Sequence, residues 1–166
     1  MTPLPLSVLT PDYLISGVVE DDAQKWAWSF FSPIQKDAPQ PLQLSVTEAR
    51  ATGNRAAPPL AGCTASFAYG TAMIAIISTG APTDALWDEW SAAVGTPVAA
   101  ELFAGPYAIT GQFLSADGTM SAIRNDRIAV RDATFTRIDG TGDGAPIQAA
   151  RAVVATAFVQ TAVVAG

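Results

Sequence analysis

The chain of 166 residues contains no histidine and a single cysteine, Cys63. Without histidine the commonest general base and the commonest zinc ligand are both missing. Ser-His and Cys-His nucleophile pairs are therefore excluded. One cysteine excludes an internal disulfide and a cysteine-rich zinc site. Cys63 opens an apolar stretch and is expected to act as a small core filler. Lysine is scarce too: Lys25 and Lys36 are the only two, both in or beside a predicted helix. Charge as a whole is low, with 14% of residues charged against 49% hydrophobic. Soluble domains usually carry ~25% charged residues. So apolar a chain is not expected to be disordered. It is expected to leave apolar surface that a partner or a second copy covers.

Nine basic residues stand against fifteen acidic ones, giving a net charge of −6. Arg124, Arg127, Arg131 and Arg137 form the densest basic region, but Asp126, Asp132 and Asp139 are interleaved with them. This reads as a mixed, solvated strand face, and no nucleic-acid surface is expected. No apolar run reaches the ~18 residues of a membrane helix. The nearest, from Ala65 to Thr79, is interrupted by Ser66, Tyr69, Gly70 and Thr71. The N-terminal stretch "MTPLPLSVLTPDY" holds three prolines and no basic region. It does not read as a secretory signal, so a cytoplasmic location is expected.

What is present is an echo. "YLISGVV" at Tyr13 is answered by "YAITGQF" at Tyr107, and Val8-Leu9 by Leu102-Phe103 at the same spacing. "LSVTEARAT", Leu44 to Thr52, is answered by "IAVRDATFT", Ile128 to Thr136. This alignment pairs Val46 with Val130, Glu48 with Asp132 and Ala49 with Ala133. A looser third echo runs from Thr64–Ser78 to Ala150–Val164. The first elements are aromatic and β-branched, as strands are. Gly17 and Gly111 inside them signal bulges or close backbone approach. The third elements are almost continuously apolar, which suits strands covered on both faces.

Two short helices are predicted among the strands. In "DAQKWAWSFF", Ala23, Trp26, Ala27, Phe30 and Phe31 share a helical face, with Asp22 as N-cap. In "TDALWDEWSAAVG", Thr83 is the expected N-cap and Gly95 the stop. There Leu86, Trp90, Ala93 and Val94 share a face that Trp87 flanks. The fold expected is mainly β with two short helices: one domain of two β-rich repeats, about 8–80 and 102–166, joined by a helix at about 84–94. The halves form one internally duplicated β-barrel or a pair of packed small β-barrels with pseudo-twofold symmetry. A single barrel is favoured, because ~80 residues per half bury little core alone.

Candidate chemistry is thin. "IDGTG", Ile138 to Gly142, has the aspartic-protease elements in the wrong order, and the equivalent Thr52-Gly53-Asn54 lacks an aspartate. Asp139, Thr141, Asp143 and Gly144 match the start of a calcium loop, but Ala150 stands where a bidentate Glu is needed. A Gly- and Asp-rich turn accounts for both. Neither a metal nor a cofactor is expected. Glu48 and Asp132 are the acids of most interest, because equivalent strands could bring them together as an acid–base pair. Tyr13 and Tyr107 could line a ligand pocket. Trp26 and Trp90 could belong to a packing or partner-binding face.

"GTMSAIRNDRIAVRDATFTRI", Gly118 to Ile138, resembles a family of uncharacterised small bacterial β-proteins. In those a short helix ending in Leu-Asn precedes a strand reading Arg-Phe-Ile-Pro-Leu-Thr-Asp-Ala. Asn125, Arg127, Asp132 and Ala133 match; the spacing from Arg to Asp is one residue shorter, and the proline is missing. The resemblance implies a small β-barrel-like element and no activity.

The function expected is that of a non-enzymatic β module acting through self-association or a protein partner. One alternative is a small barrel for an apolar ligand. Another is a hydrolase-type enzyme using Asp or Glu without histidine. The strand-like C-terminus "VVATAFVQTAVVAG" could present an edge for pairing.

Overall fold

The computed structural model describes residues 2–19, 42–67, 73–120, 127–142, 144–156 and 159–164. The predicted first helix, with Trp26, lies outside these residues. In chain order the elements are β1 (Leu4–Leu9), β2 (Tyr13–Val19), β3 (Leu42–Ala51), β4 (Thr64–Phe67) and β5 (Ala75–Ser78). Then come α1 (Ala81–Ser91), β6 (Thr96–Ala104), β7 (Tyr107–Ser115), β8 (Arg127–Arg137), β9 (Ile147–Ala155) and β10 (Val159–Val164). No helix among the described residues is long and apolar enough to cross a membrane.

All ten strands form one antiparallel sheet in the order β10-β6-β7-β8-β9-β5-β1-β2-β3-β4. Mainly β is borne out; the closed barrel is not, because β10 and β4 are the two ends of an open sheet. Each expected third element is two strands: Thr64–Ser78 holds β4 and β5, and Ala150–Val164 holds most of β9 and all of β10. The first of each pair stays with its hairpin neighbour, while the second crosses to the far side of its half.

The strand order of the first half, β5-β1-β2-β3-β4, is that of the second, β10-β6-β7-β8-β9. The registers coincide as well. Leu9 opposes Leu14 and Leu4 opposes Val19; Phe103 opposes Ala108 and Val98 opposes Phe113. Leu42 opposes Phe67 as Ile128 opposes Val154. Leu6 opposes Ser78 as Ala100 opposes Val164. The halves meet where β5 pairs with β9, through Ala75–Val154, Ile76–Val153 and Ile77–Ala152. Five antiparallel steps separate β10 from β5, so equivalent strands of the two halves run in opposite directions.

The two interior glycines are bulge sites, as their sequence context predicts. The β2–β3 register shifts between Ser16 and Gly17, and the β7–β8 register between Thr110 and Gln112. A Cβ on Gly17 would lie 2.2 Å from the Ser45 carbonyl oxygen; one on Gly111 would lie 2.7 Å from Val130 Cγ2. Only glycine lets the neighbouring backbone come so near. In the second half the bulge also places Asp132 at φ 50, a left-handed conformation that Asp tolerates better than most residues.

Two apolar cores result. One holds Val98, Leu102, Tyr107, Ile109, Phe113, Val130 and Phe135 of the second half, with Leu9, Leu14, Ile74, Ala75 and Ile77 of the first. The other holds Leu4, Leu6, Val8, Ile15, Leu42, Leu44, Phe67, Trp87 and Trp90, with Leu114, Ala129 and Val153 of the second half. Along β5 the side chains alternate: Ala75 and Ile77 enter the first core, Ile76 the second. Strand side chains alternate between faces, so the cores lie on opposite faces where they overlap.

Helix α1 covers the second core. Its buried residues are Thr83, Trp87, Trp90 and Ser91, so the face is centred on Trp87 rather than on Leu86. Thr83 is not the N-cap: Gly80 is, and Pro82 occupies the first turn. The Thr83 hydroxyl instead donates to the Pro5 carbonyl at 2.7 Å. The helix stops at Ser91, short of Gly95.

Candidate functional site

Two polar clusters tie the halves together. In the first, Arg137 at the end of β8 reaches across to the first half. Its guanidinium donates to both Asp139 carboxylate oxygens at 2.9 Å, to Thr52 Oγ1 at 3.2 Å and to the Pro11 carbonyl. It stacks 5.6 Å from the Tyr107 ring centre. The neighbouring Gly142 N–H donates to Asn54 Oδ1 at 3.0 Å, so the β8–β9 loop lies on the β3–β4 loop. Burial works against the Arg137 charge, but Asp139 and Tyr107 together outweigh it, and the guanidinium pKa is raised. The Arg137 hydrogen bond in turn holds the Asp139 carboxyl down at about 2.

The second cluster fastens α1. Arg151 on β9 grips Asp88 through two hydrogen bonds, 2.8 and 2.9 Å, and lies 3.7 Å from Asp84. The Arg151 hydrogen bond lowers the pKa of Asp88. Arg131, directly opposite Arg151, lies 5.3 Å over the Trp87 ring and donates to Ser91 Oγ at 3.3 Å. Trp87 Nε1 donates to the Ala152 carbonyl at 3.1 Å. Ser78 donates to Asp84 at 2.6 Å. The arginine-rich β8 is thus no solvated face. Arg131 and Arg137 act as ties, and Arg127 is buried, which lowers its pKa to about 10. Sequence alternation cannot reveal this, because the partners that cross between the halves, Pro11 and Thr52 for Arg137 and Ser91 and Trp87 for Arg131, lie far along the chain.

The structure separates most of the residues singled out from the sequence. Tyr13 packs against the helix-covered core and Tyr107 is buried in the other, so they do not line one pocket. Glu48 and Asp132 are exposed, on strands with β2, β1, β5 and β9 between them. That is five strand steps, about 24 Å along the sheet. Nor do they occupy matched positions. Ser16 opposes Glu48 where Thr110 opposes Thr134, so Glu48 corresponds to Thr134. The observed registers match β3 to β8 two residues away from the sequence alignment, by the same amount on both sides of the bulge: Leu44 corresponds to Val130 as Glu48 does to Thr134. Trp90 is buried edge-on to Trp87, centroids 6.4 Å apart. Cys63 is exposed in the turn before β4, not a core filler. Among the described residues no group of three or more Cys, Asp or Glu could hold a metal ion.

The remaining candidate surface is main chain. Among the described residues, β10 and β4 each carry a strand partner on one side only. Neither has a charged residue or a proline, the usual guards of an exposed edge. Val163 and Val164 on β10 are 52% and 47% exposed. Comparison with protein-family models, curated proteins and solved structures finds no match.

Proposed function

We propose that this protein is a non-catalytic β module that works by association, with the outer edges of its sheet as the contact surface. The observation that carries this reading is β10: an unguarded edge strand with two large apolar side chains in water. An edge offers a row of N–H and C=O groups to an added strand. The inward sheet faces are filled by side chains such as Leu102, Phe113, Phe135, Leu44 and Trp87, all at 0% exposure. Filled faces on an open sheet support association over enclosure of an apolar ligand. We further propose that the halves descend from one segment copied in tandem, on the strength of their coincident strand order and registers.

Light scattering across a dilution series, from micromolar to millimolar, tests association. The mean mass is expected to rise with concentration, with slowed hydrogen exchange in β10. A strict monomer with freely exchanging β10 amides throughout overturns the reading.

A further inference from the structure

We propose that the partner of this edge is a second copy of the chain, bound head to tail. β10 of one copy pairs antiparallel with β4 of the next, with Thr161 opposite Phe67, Ala162 opposite Ser66 and Val163 opposite Ala65. The inference rests on the association reading and adds its partner, edge and register.

The template lies inside the molecule. Where the halves join, β5 pairs with β9 through Ala75–Val154, Ile76–Val153 and Ile77–Ala152. Against β1 and β6, Ala75, Ile76 and Ile77 hold the positions of Thr161, Ala162 and Val163. Against β3 and β8, Phe67, Ser66 and Ala65 hold the positions of Val154, Val153 and Ala152. So, among the described residues, β10 is a second β5 without its β9, and β4 is a second β9 without its β5. The seam inside the molecule pairs three residues from each strand, with one further hydrogen bond from the Ala155 N–H to the Ile74 carbonyl, and β4 with four residues is long enough to repeat the paired stretch.

Side-chain chemistry agrees. Ile77 is buried by the seam at 4% exposure, whereas Val163, its counterpart, is 52% exposed. Ser66 is exposed where its counterpart Val153 is 2% exposed. The register irregularity in β10 falls between Val159 and Thr161, outside the stretch from Thr161 to Val163. Closure of β10 onto β4 within one chain would need a single interior face, whereas the two cores lie on opposite faces of the sheet. Unlike edges, once paired between copies, leave another unlike pair free, so growth continues beyond a dimer.

Two blocked variants test this. Val163→Lys places a charge where β10 would be covered, and Ser66→Lys does the same on β4; burying an unpaired charge is costly. Both positions are exposed in the single chain, so circular dichroism and melting temperature should match wild type. Wild type should grow past dimer with concentration. Each variant alone should stay monomeric. Their equimolar mixture should double in mass, because Val163→Lys keeps a free β4 and Ser66→Lys a free β10. Cross-linking gives a charge-free check. Ala162→Cys and Ser66→Cys copies, both with Cys63→Ser, should form a disulfide with each other and not with themselves. If wild type associates but Ser66→Lys still does so alone, or the mixture stays monomeric, head-to-tail pairing is overturned and association by another surface stands. A monomeric wild type overturns both.

Discussion

The two halves of the sheet share strand order and register but fill their cores differently. In the second half, aromatic side chains on the strands do the filling: Tyr107, Phe113 and Phe135 are all at or near zero exposure. The positions that correspond to Phe113 and Phe135 in the first half are Val19 and Ala49. There the volume comes from outside the sheet, through Trp87 and Trp90 of α1. Equal backbones thus accept unequal side chains, provided that each interior is filled to close packing. The first half depends on a helix that is itself tied to β9 of the second, through Arg151–Asp88 and Trp87–Ala152. Neither core is built from one half alone.

The largest expected effects probe that dependence. Trp87→Ala and Phe113→Ala each remove a fully buried aromatic side chain, and each should cost about 4 kcal/mol. Calorimetry of both variants should show one transition, since each core draws residues from both halves. Two resolved transitions in either variant would break the comparison, because the halves would then melt apart.

Next come the bulge glycines. Gly17→Ala meets a backbone carbonyl at 2.2 Å, whereas Gly111→Ala first meets a side-chain methyl at 2.7 Å. A methyl can turn aside more easily than a strand can. Denaturant titrations should place the loss at about 3 kcal/mol for Gly17→Ala and about 2 kcal/mol for Gly111→Ala. Equal losses would mean that the second bulge is as rigid as the first. Thr83→Val removes the hydroxyl that ties α1 to Pro5 and should cost about 1 kcal/mol in the same titration.

The smallest effect is electrostatic and sits where the loops of the halves meet. Asp139 has a folded pKa of about 2 against an ordinary 3.8. Between those values the unfolded chain binds more protons. The contribution of Asp139 is therefore fully present above about pH 4 and is lost as pH falls through about 2. Asp139→Asn should flatten the fall in melting temperature across that window and leave its slope near pH 7 unchanged. Added salt should shrink the difference, because the carboxylate is solvent-facing.

Local signals in the sequence carried far. The repeated Tyr-x-Ile-Ser/Thr-Gly stretches are β2 and β7, each glycine is a bulge, and the connector helix lies within a few residues of its expected place. β1 was hidden, because Pro5 in a short proline-rich stretch weakens a strand reading. The pairing of Glu48 with Asp132 failed because the like residues Val46 and Val130, and Ala49 and Ala133, draw the alignment two residues away from the structural match, in which Leu44 corresponds to Val130 and Glu48 to Thr134. The helix face was off by one position because Thr83 and Ser91 are buried through hydroxyls that bond backbone oxygens. A hydrophobic count places such residues in water. The arginine ties were illegible for a different reason: the bonds from Arg137 to Pro11 and Thr52, and from Arg151 to Asp88, each span a long stretch of chain, so no local pattern encodes them.

The join between the halves has a mechanical consequence. Among the described residues, three residue pairs of β5 and β9 and the hydrogen bond from the Ala155 N–H to the Ile74 carbonyl connect one half of the sheet to the other. The helix clamp and the Arg137 clasp bridge the same divide, on either side of that stitch. Under tension the three share the load in parallel. A pulling experiment that grips one point in each half should therefore record a single rupture, and removal of either arginine should lower the force at which it comes.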